Sequence, residues 1–115
     1  MTTLITPYKA IADDTRRKIL DLLREESLTA GAIAGRFHRM SRPAVSKHLS
    51  ILRRSRLVSA KKHGRERLYT LNAEPLREVE AWVRQYEKFW EQQLQSFKSY
   101  VEAEAQKEKR DDQKG

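Results

Sequence analysis

Apolar residues recur along this chain with two different periods, and the change of period maps its elements. Thr6-Pro7 is a helix start, a side-chain oxygen at the cap followed by a proline whose missing N–H costs nothing. A short helix through Tyr8 and Ile11 follows. Asp13 caps a second helix, in which Ile19, Leu20, Leu22 and Leu23 make a stripe at spacings of three and four. Thr29 caps a third, short helix over 29–36 that carries Ile33 and Phe37. Gly31 and Gly35 weaken it, each by about 1 kcal/mol relative to alanine. Ser41 caps a fourth helix, Arg42 to about Arg54. Pro43 has no N–H to offer, so the Ser41 hydroxyl is left to cap Ala44. Val45, Leu49 and Leu52 form its inner stripe, and Arg42, Ser46, Lys47, Ser50 and Arg53 its outer faces.

The period then shortens. Residues 57–62 and 67–71 are β-compatible runs joined by His63-Gly64-Arg65-Glu66, which reads as a hairpin with one glycine available for positive φ. From Leu76 a single helix runs to about Ala105, with Val79, Val83, Tyr86, Trp90, Gln93, Phe97 and Tyr100 alternating between heptad positions d and a. Trp82, Phe89, Leu94 and Val101 widen the stripe. Such a helix spans roughly 45 Å, longer than so small a domain can cover. A second copy of the chain is the simplest cover for its stripe, with Val79, Trp82, Val83, Tyr86, Phe89, Trp90, Phe97 and Tyr100 at the seam. Residues 106–115 are charged and lack apolar side chains, which predicts a frayed or disordered tail after a domain covering 1–105.

The 115 residues carry a net charge of +8, and its location changes the picture. Residues 1–35 sum to zero and residues 68–115 to −2. Residues 36–67 hold eleven Lys/Arg against Glu66 alone. A localised excess of this kind is the footprint of a phosphate-rich partner. There is no cysteine, which excludes disulfides and thiolate metal sites and suits a reducing compartment. No apolar run approaches the ~20 residues of a membrane span, and Met1 to Pro7 does not read as a signal peptide. The expected location is the cytoplasm.

A short helix, a turn and a basic-faced helix make a helix-turn-helix, and the basic hairpin behind it makes a wing. The expected fold is mainly α with a small β-hairpin, a winged helix-turn-helix with a long C-terminal dimerisation helix. A helix of this kind fits the major groove of double-stranded DNA, its first residues reaching base edges and its N-terminal dipole favouring phosphate. Arg42 and Lys47 are candidates for guanine edges or for phosphate; Ser41 and Ser46 for phosphate, with capping as the other role of Ser41. Pro43 and Ser50 lie on the same face, and Ala44 can touch a thymine methyl. The wing offers Lys61, Lys62, His63, Arg65 and Arg67, which cannot all reach DNA together because neighbours alternate in direction. Arg53, Arg54 and Arg56 also complement the helix C-terminal dipole. His48, beside buried Leu49, is expected to make a structural hydrogen bond. His38, His48 and His63 lie on different elements without ligand spacing, so no metal site is expected, and no cofactor or catalytic pair stands out.

Three segments resemble the ArsR/SmtB-type winged-helix repressors. Tyr8 to Leu20 (YKAIADDTRRKIL) resembles the opening of that family, Ser41 to Leu52 (SRPAVSKHLSIL) its recognition helix, and Leu57-Val58 with Gly64-Arg65 and Tyr69 its wing. The resemblance implies a homodimer, with Leu4 and Tyr8 beside the last helix at the interface, that represses a promoter and usually its own operon. Metal-sensing members carry cysteines where this chain has Ala30 to Gly35, or ligands on the last helix, where it has no histidine. It is therefore similar to the SdpR-like branch that lacks the metal sites, and the resemblance supplies no effector. A non-specific architectural binder and a protein-interaction module acting through the aromatic helix are the alternative readings.

Overall fold

The computed structural model describes residues 4–113, with side chains through Arg110. Its elements are α1 (Pro7–Ile11), α2 (Asp14–Glu25), β1 (Leu28–Thr29), α3 (Ala30–Ala34), α4 (Arg42–Arg54), β2 (Val58–His63), β3 (Glu66–Leu71), α5 (Leu76–Arg84) and α6 (Glu87–Gln113). The chain divides into two compact units, one ending at Glu80 and one beginning at Ala81.

The four caps read from the sequence all form. Thr6, Asp13, Thr29 and Ser41 each accept from the backbone N–H three residues on, at 3.2, 3.0, 3.2 and 3.3 Å. Ser41 reaches Ala44, the first free donor beside Pro43. The far end of α4 closes as a Schellman motif: Arg56 N–H donates to Arg53 and Leu57 N–H to Leu52, both at 3.0 Å. The left-handed position this motif needs is filled by Arg56 at φ 65°, where glycine is usual. Asn72 Nδ2 holds the Arg56 carbonyl at 2.8 Å and fixes the strained residue.

Three strands form an antiparallel sheet in the order β1-β3-β2. Gly64, at φ 65°, is the first central residue of the two-residue turn between His63 and Glu66, as a type II′ turn requires. The core of this winged body brings Val45, Leu49 and Leu52 of α4 against Ile19, Leu20 and Leu23 of α2, Ile33 of α3, Leu57, Val58 and Tyr69, all of them buried. Leu76 packs on its edge.

Four details differ from the sequence-based expectation, and the extent of the last helix, expected to end at about Ala105 before a frayed tail, makes a fifth. The α-helical part of α3 is Ala30–Ala34, after which hydrogen bonds tighten to the third residue back, Arg36 to Ile33 and Phe37 to Ala34, as the two glycines weaken the turn. Leu28–Thr29 pairs with Leu68–Tyr69 and adds a strand too short to show a period. The hairpin strands extend to His63 and from Glu66, because that pair closes the turn; Glu66 is a strand residue and not part of the tip. The long helix is two: Gln85 and Tyr86 donate to Trp82 and Val83, three residues back, and α6 starts afresh at Glu87. No glycine or proline marks this break. Beside it the Trp82 and Tyr86 rings meet edge to face, with centroids 5.5 Å apart.

In the unit from Ala81, α6 continues past Ala105 to Gln113, through residues that are good helix formers and include neither glycine nor proline. Its large apolar side chains stand in solvent: Phe89 58% exposed, Trp90 46%, Leu94 67%, Phe97 67% and Tyr100 64%.

Candidate nucleic-acid interface

The buried stripe of α4 determines what its other side presents. With Val45, Leu49 and Leu52 held in the core, Ser41, Arg42, Pro43, Ser46, Lys47 and Ser50 are exposed and Ala44 is half-buried. In the wing Lys61, Lys62, His63, Arg65 and Arg67 are all exposed. The register places Lys62 directly opposite Arg67 on one face and puts Lys61 on the other. Two cations facing each other across a strand pair oppose pairing. Lys62 and Arg67 therefore concentrate positive charge on that face of the hairpin at some cost to its pairing.

Arg42 is not a free cation. Its Nη2 lies 3.9 Å from Glu66 Oε1 on β3, joining the first residue of α4 to the wing. Both groups are more than half exposed, so the pair contributes less than about 1 kcal/mol to stability. Gly31 of α3 lies beneath it; a Cβ there would meet Arg42 Nη2 at 3.4 Å and Glu66 Oε1 at 3.5 Å. Glu66 is the single acid of the basic block, and the sequence reading passed over it as part of the tip. Its isolation among eleven cations was the available signal.

His48 is tied inward. Its Nδ1 lies 3.3 Å from an Arg16 Nη and 3.8 Å from Asp13 Oδ2, and its side chain is 20% exposed. An arginine N–H can only donate, so this contact is a hydrogen bond in the tautomer whose Nδ1 is free to accept. Arg16 also donates to the carbonyls of Ala10 at 2.7 Å and Lys9 at 3.2 Å. One guanidinium thus joins the end of α1 to the recognition-type helix. The sequence reading included Arg16 only within a resembling segment and gave it no role, because a bond 32 residues away in the chain leaves no local pattern.

The remaining cations are dispersed. Arg36 pairs with Glu26 at 3.9 Å, Arg39 is exposed in the turn before Ser41, and Arg53 is exposed in the last turn of α4. Arg54 is half-buried there, and its carbonyl accepts from Ile5 N–H at 3.1 Å. His38 lies in the turn after α3, His48 in α4 and His63 in β2. Among the described residues no group of three His, Cys, Asp or Glu could hold a metal ion, and no helix is long and apolar enough to cross a membrane.

Of the residues expected at a dimer seam, Leu4 is 65% exposed and Trp82, Tyr86, Phe89, Trp90, Phe97 and Tyr100 are also exposed. Tyr8, Val79 and Val83 are half-buried, and the Tyr8 hydroxyl donates to the Glu78 carbonyl at 3.1 Å.

Comparison with known proteins agrees with this arrangement. Residues 13–60 match the family model described as "Bacterial regulatory protein, arsR family". The transcriptional repressor SdpR of Bacillus subtilis (strain 168) is 43% identical over 76 residues, covering 66% of this chain and 83% of the relative. The HTH-type transcriptional regulator Rv2034 of Mycobacterium tuberculosis is 34% identical over 107 residues, covering 90% and 96%. The solved structure of an ArsR-like transcriptional regulator from Rhodococcus sp. RHA1 has a TM-score of 0.64 at 30% identity, covering 84% of this chain and 87% of that one. None of these relatives is an enzyme. With a basic recognition-type helix, a wing and a sequence shared over most of the length of such regulators, this chain belongs to the ArsR family of winged helix-turn-helix transcriptional regulators.

Proposed function

We propose that this protein is a homodimeric, sequence-specific repressor that acts in the cytoplasm on an inverted-repeat operator in double-stranded DNA, including one at its own gene. The observation that carries the reading is the division of α4: Val45, Leu49 and Leu52 are sealed in the core while Arg42, Ser46, Lys47 and Ser50 face solvent, with the basic wing behind them. α4 enters the major groove, where a bidentate arginine–guanine pair discriminates by about 1–3 kcal/mol. Ser41 and the wing residues Lys61, Lys62, His63, Arg65 and Arg67 meet backbone, with Arg65 at the turn reaching furthest; Pro43 and Ala44 abut the groove wall.

Homodimerisation is supported by the aromatic face of α6. Monomers rarely leave an apolar patch of this kind in water, and a second copy covers it using Trp82, Tyr86, Phe89, Trp90, Phe97 and Tyr100; Leu4, Tyr8, Val79 and Val83 are assigned to the dimer interface as well. A two-fold protein then reads half-sites ~34 Å apart or a multiple of it. That one relative is named a repressor supports repression.

Fluorescence anisotropy of the duplex upstream of the gene, against a scrambled duplex at two salt concentrations, tests the reading. A preference of ~10³-fold or more with steep salt dependence is expected. Equal affinity for both duplexes would reduce the protein to a non-specific binder.

A further inference from the structure

The Arg42–Glu66 pair bears on how discrimination is achieved. Glu66 is the single carboxylate in the 36–67 block, and its Oε1 lies 3.9 Å from the guanidinium of Arg42, the first residue of α4, whose first turn contains no acid of its own. A carboxylate held against an arginine occupies the place that a DNA phosphate would take on that arginine. We propose that Glu66 is a specificity-determining residue: its carboxylate stands in for a phosphate and withholds Arg42 from the backbone of unrelated DNA. This rests on the DNA-binding reading above.

The selectivity follows from which partner outcompetes the carboxylate. A single phosphate offers Arg42 only an exchange of one anion for another. On random duplex the pair therefore stays closed and one cation is subtracted from the electrostatic contact. A correctly placed guanine presents two acceptors, O6 and N7, that match the guanidinium fork in parallel. It draws Arg42 away from a solvent-exposed pair held at 3.9 Å, because two aligned hydrogen bonds replace one distant contact. Glu66 thus lowers affinity for wrong sequences more than for the right one, in the manner of a built-in competitor. The two side chains lie over α3 beside Gly31, where a Cβ would be in ordinary contact with both.

Glu66→Gln, Arg42→Gln and the double variant separate this role from simple support of the helix. Each is titrated against random duplex, and against a duplex selected by the wild-type protein from a randomised pool, across a salt series. Removing the carboxylate should add one phosphate contact on random duplex, steepening the salt slope by about one and tightening binding roughly fivefold near 0.15 M salt. The selected duplex should change less, so the preference falls. In the double variant the gain should vanish, since Gln at 42 has no charge to release.

Equal tightening of both duplexes, or a gain that persists without Arg42, would overturn the proposal in favour of a general repulsive field. A lowered melting temperature with unchanged salt slope would also overturn it and leave Glu66 as a helix-terminus support. If selection enriches no sequence, the specific-repressor reading fails; the salt slopes on random duplex still decide whether Glu66 withholds Arg42.

Discussion

The winged body up to Glu80 and the helical unit from Ala81 use the same side chains in opposite ways. In the first, Ile19, Ile33, Val45, Leu52 and Leu57 are wholly buried, and the starts of α1, α2, α3 and α4 are each closed by a side-chain oxygen. In the second, residues just as apolar, such as Phe97 at 67% exposed, lie in water along a helix with no core of its own. One unit satisfies itself within a single chain. The other is stable as helix through propensity and leaves its apolar face for something else. Burial within one chain therefore separates the residues that fold the winged body from those that the proposed dimer would cover.

The largest effect should come from breaking the self-sufficient unit. Leu52→Ala removes a wholly buried side chain and should destabilise the body by about 2–5 kcal/mol in denaturant unfolding. A loss below that range would mean the α4 seam is less closely packed than its burial implies. The matched truncation on the other side sharpens the contrast. Trp90→Ala with Phe97→Ala should leave the unfolding of the winged body nearly unchanged, yet weaken self-association by at least ~2 kcal/mol, read by sedimentation. A double variant that self-associates like wild type would place the seam elsewhere.

Ser41→Ala should cost the body about 1 kcal/mol through loss of the Ala44 cap. Ser41→Asp should keep the cap and the melting temperature while weakening DNA binding, which separates the two roles of this residue. Arg56→Gly should instead stabilise by roughly 0.5–1 kcal/mol, because glycine occupies the left-handed position without a Cβ clash. The smallest effect lies at Asp14. The hydrogen bond from Lys18, then its charge, holds this carboxyl below the ordinary carboxylate value. A depressed pKa stabilises above the unfolded value and is lost as pH falls through the folded one. The melting temperatures of wild type and Asp14→Asn should therefore differ slightly at neutral pH and converge in strong acid.

Local chemistry made much of this legible in advance. A cap, a proline and an i, i+3, i+4 stripe are read over a handful of residues, so α1, α2 and α4 and all four caps emerged directly, and localised charge pointed to the wing. What stayed hidden depends on distance in the chain or on absence of a pattern. The Leu28–Thr29 strand is defined only by its partner in β3. The break at Gln85-Tyr86 carries no breaker residue, and α6 persists beyond its apolar stripe because propensity alone sustains it. In the interface the outward face of α4 was evident from periodicity. The Arg42–Glu66 pair and the Arg16–His48 bond were not, since each joins residues more than twenty positions apart.

The division of labour within α4 also has an evolutionary consequence. Its inward residues answer to the core, while Ser46, Lys47 and Ser50 are exposed and Arg42 pairs with Glu66. Under the proposed reading of DNA, exchanges at 46, 47 and 50 should cost little folding stability, so one scaffold could drift among many promoters after gene duplication. Position 42 is the exception: a new side chain there also changes what its acidic neighbour holds back, and successful retargeting should alter the two together.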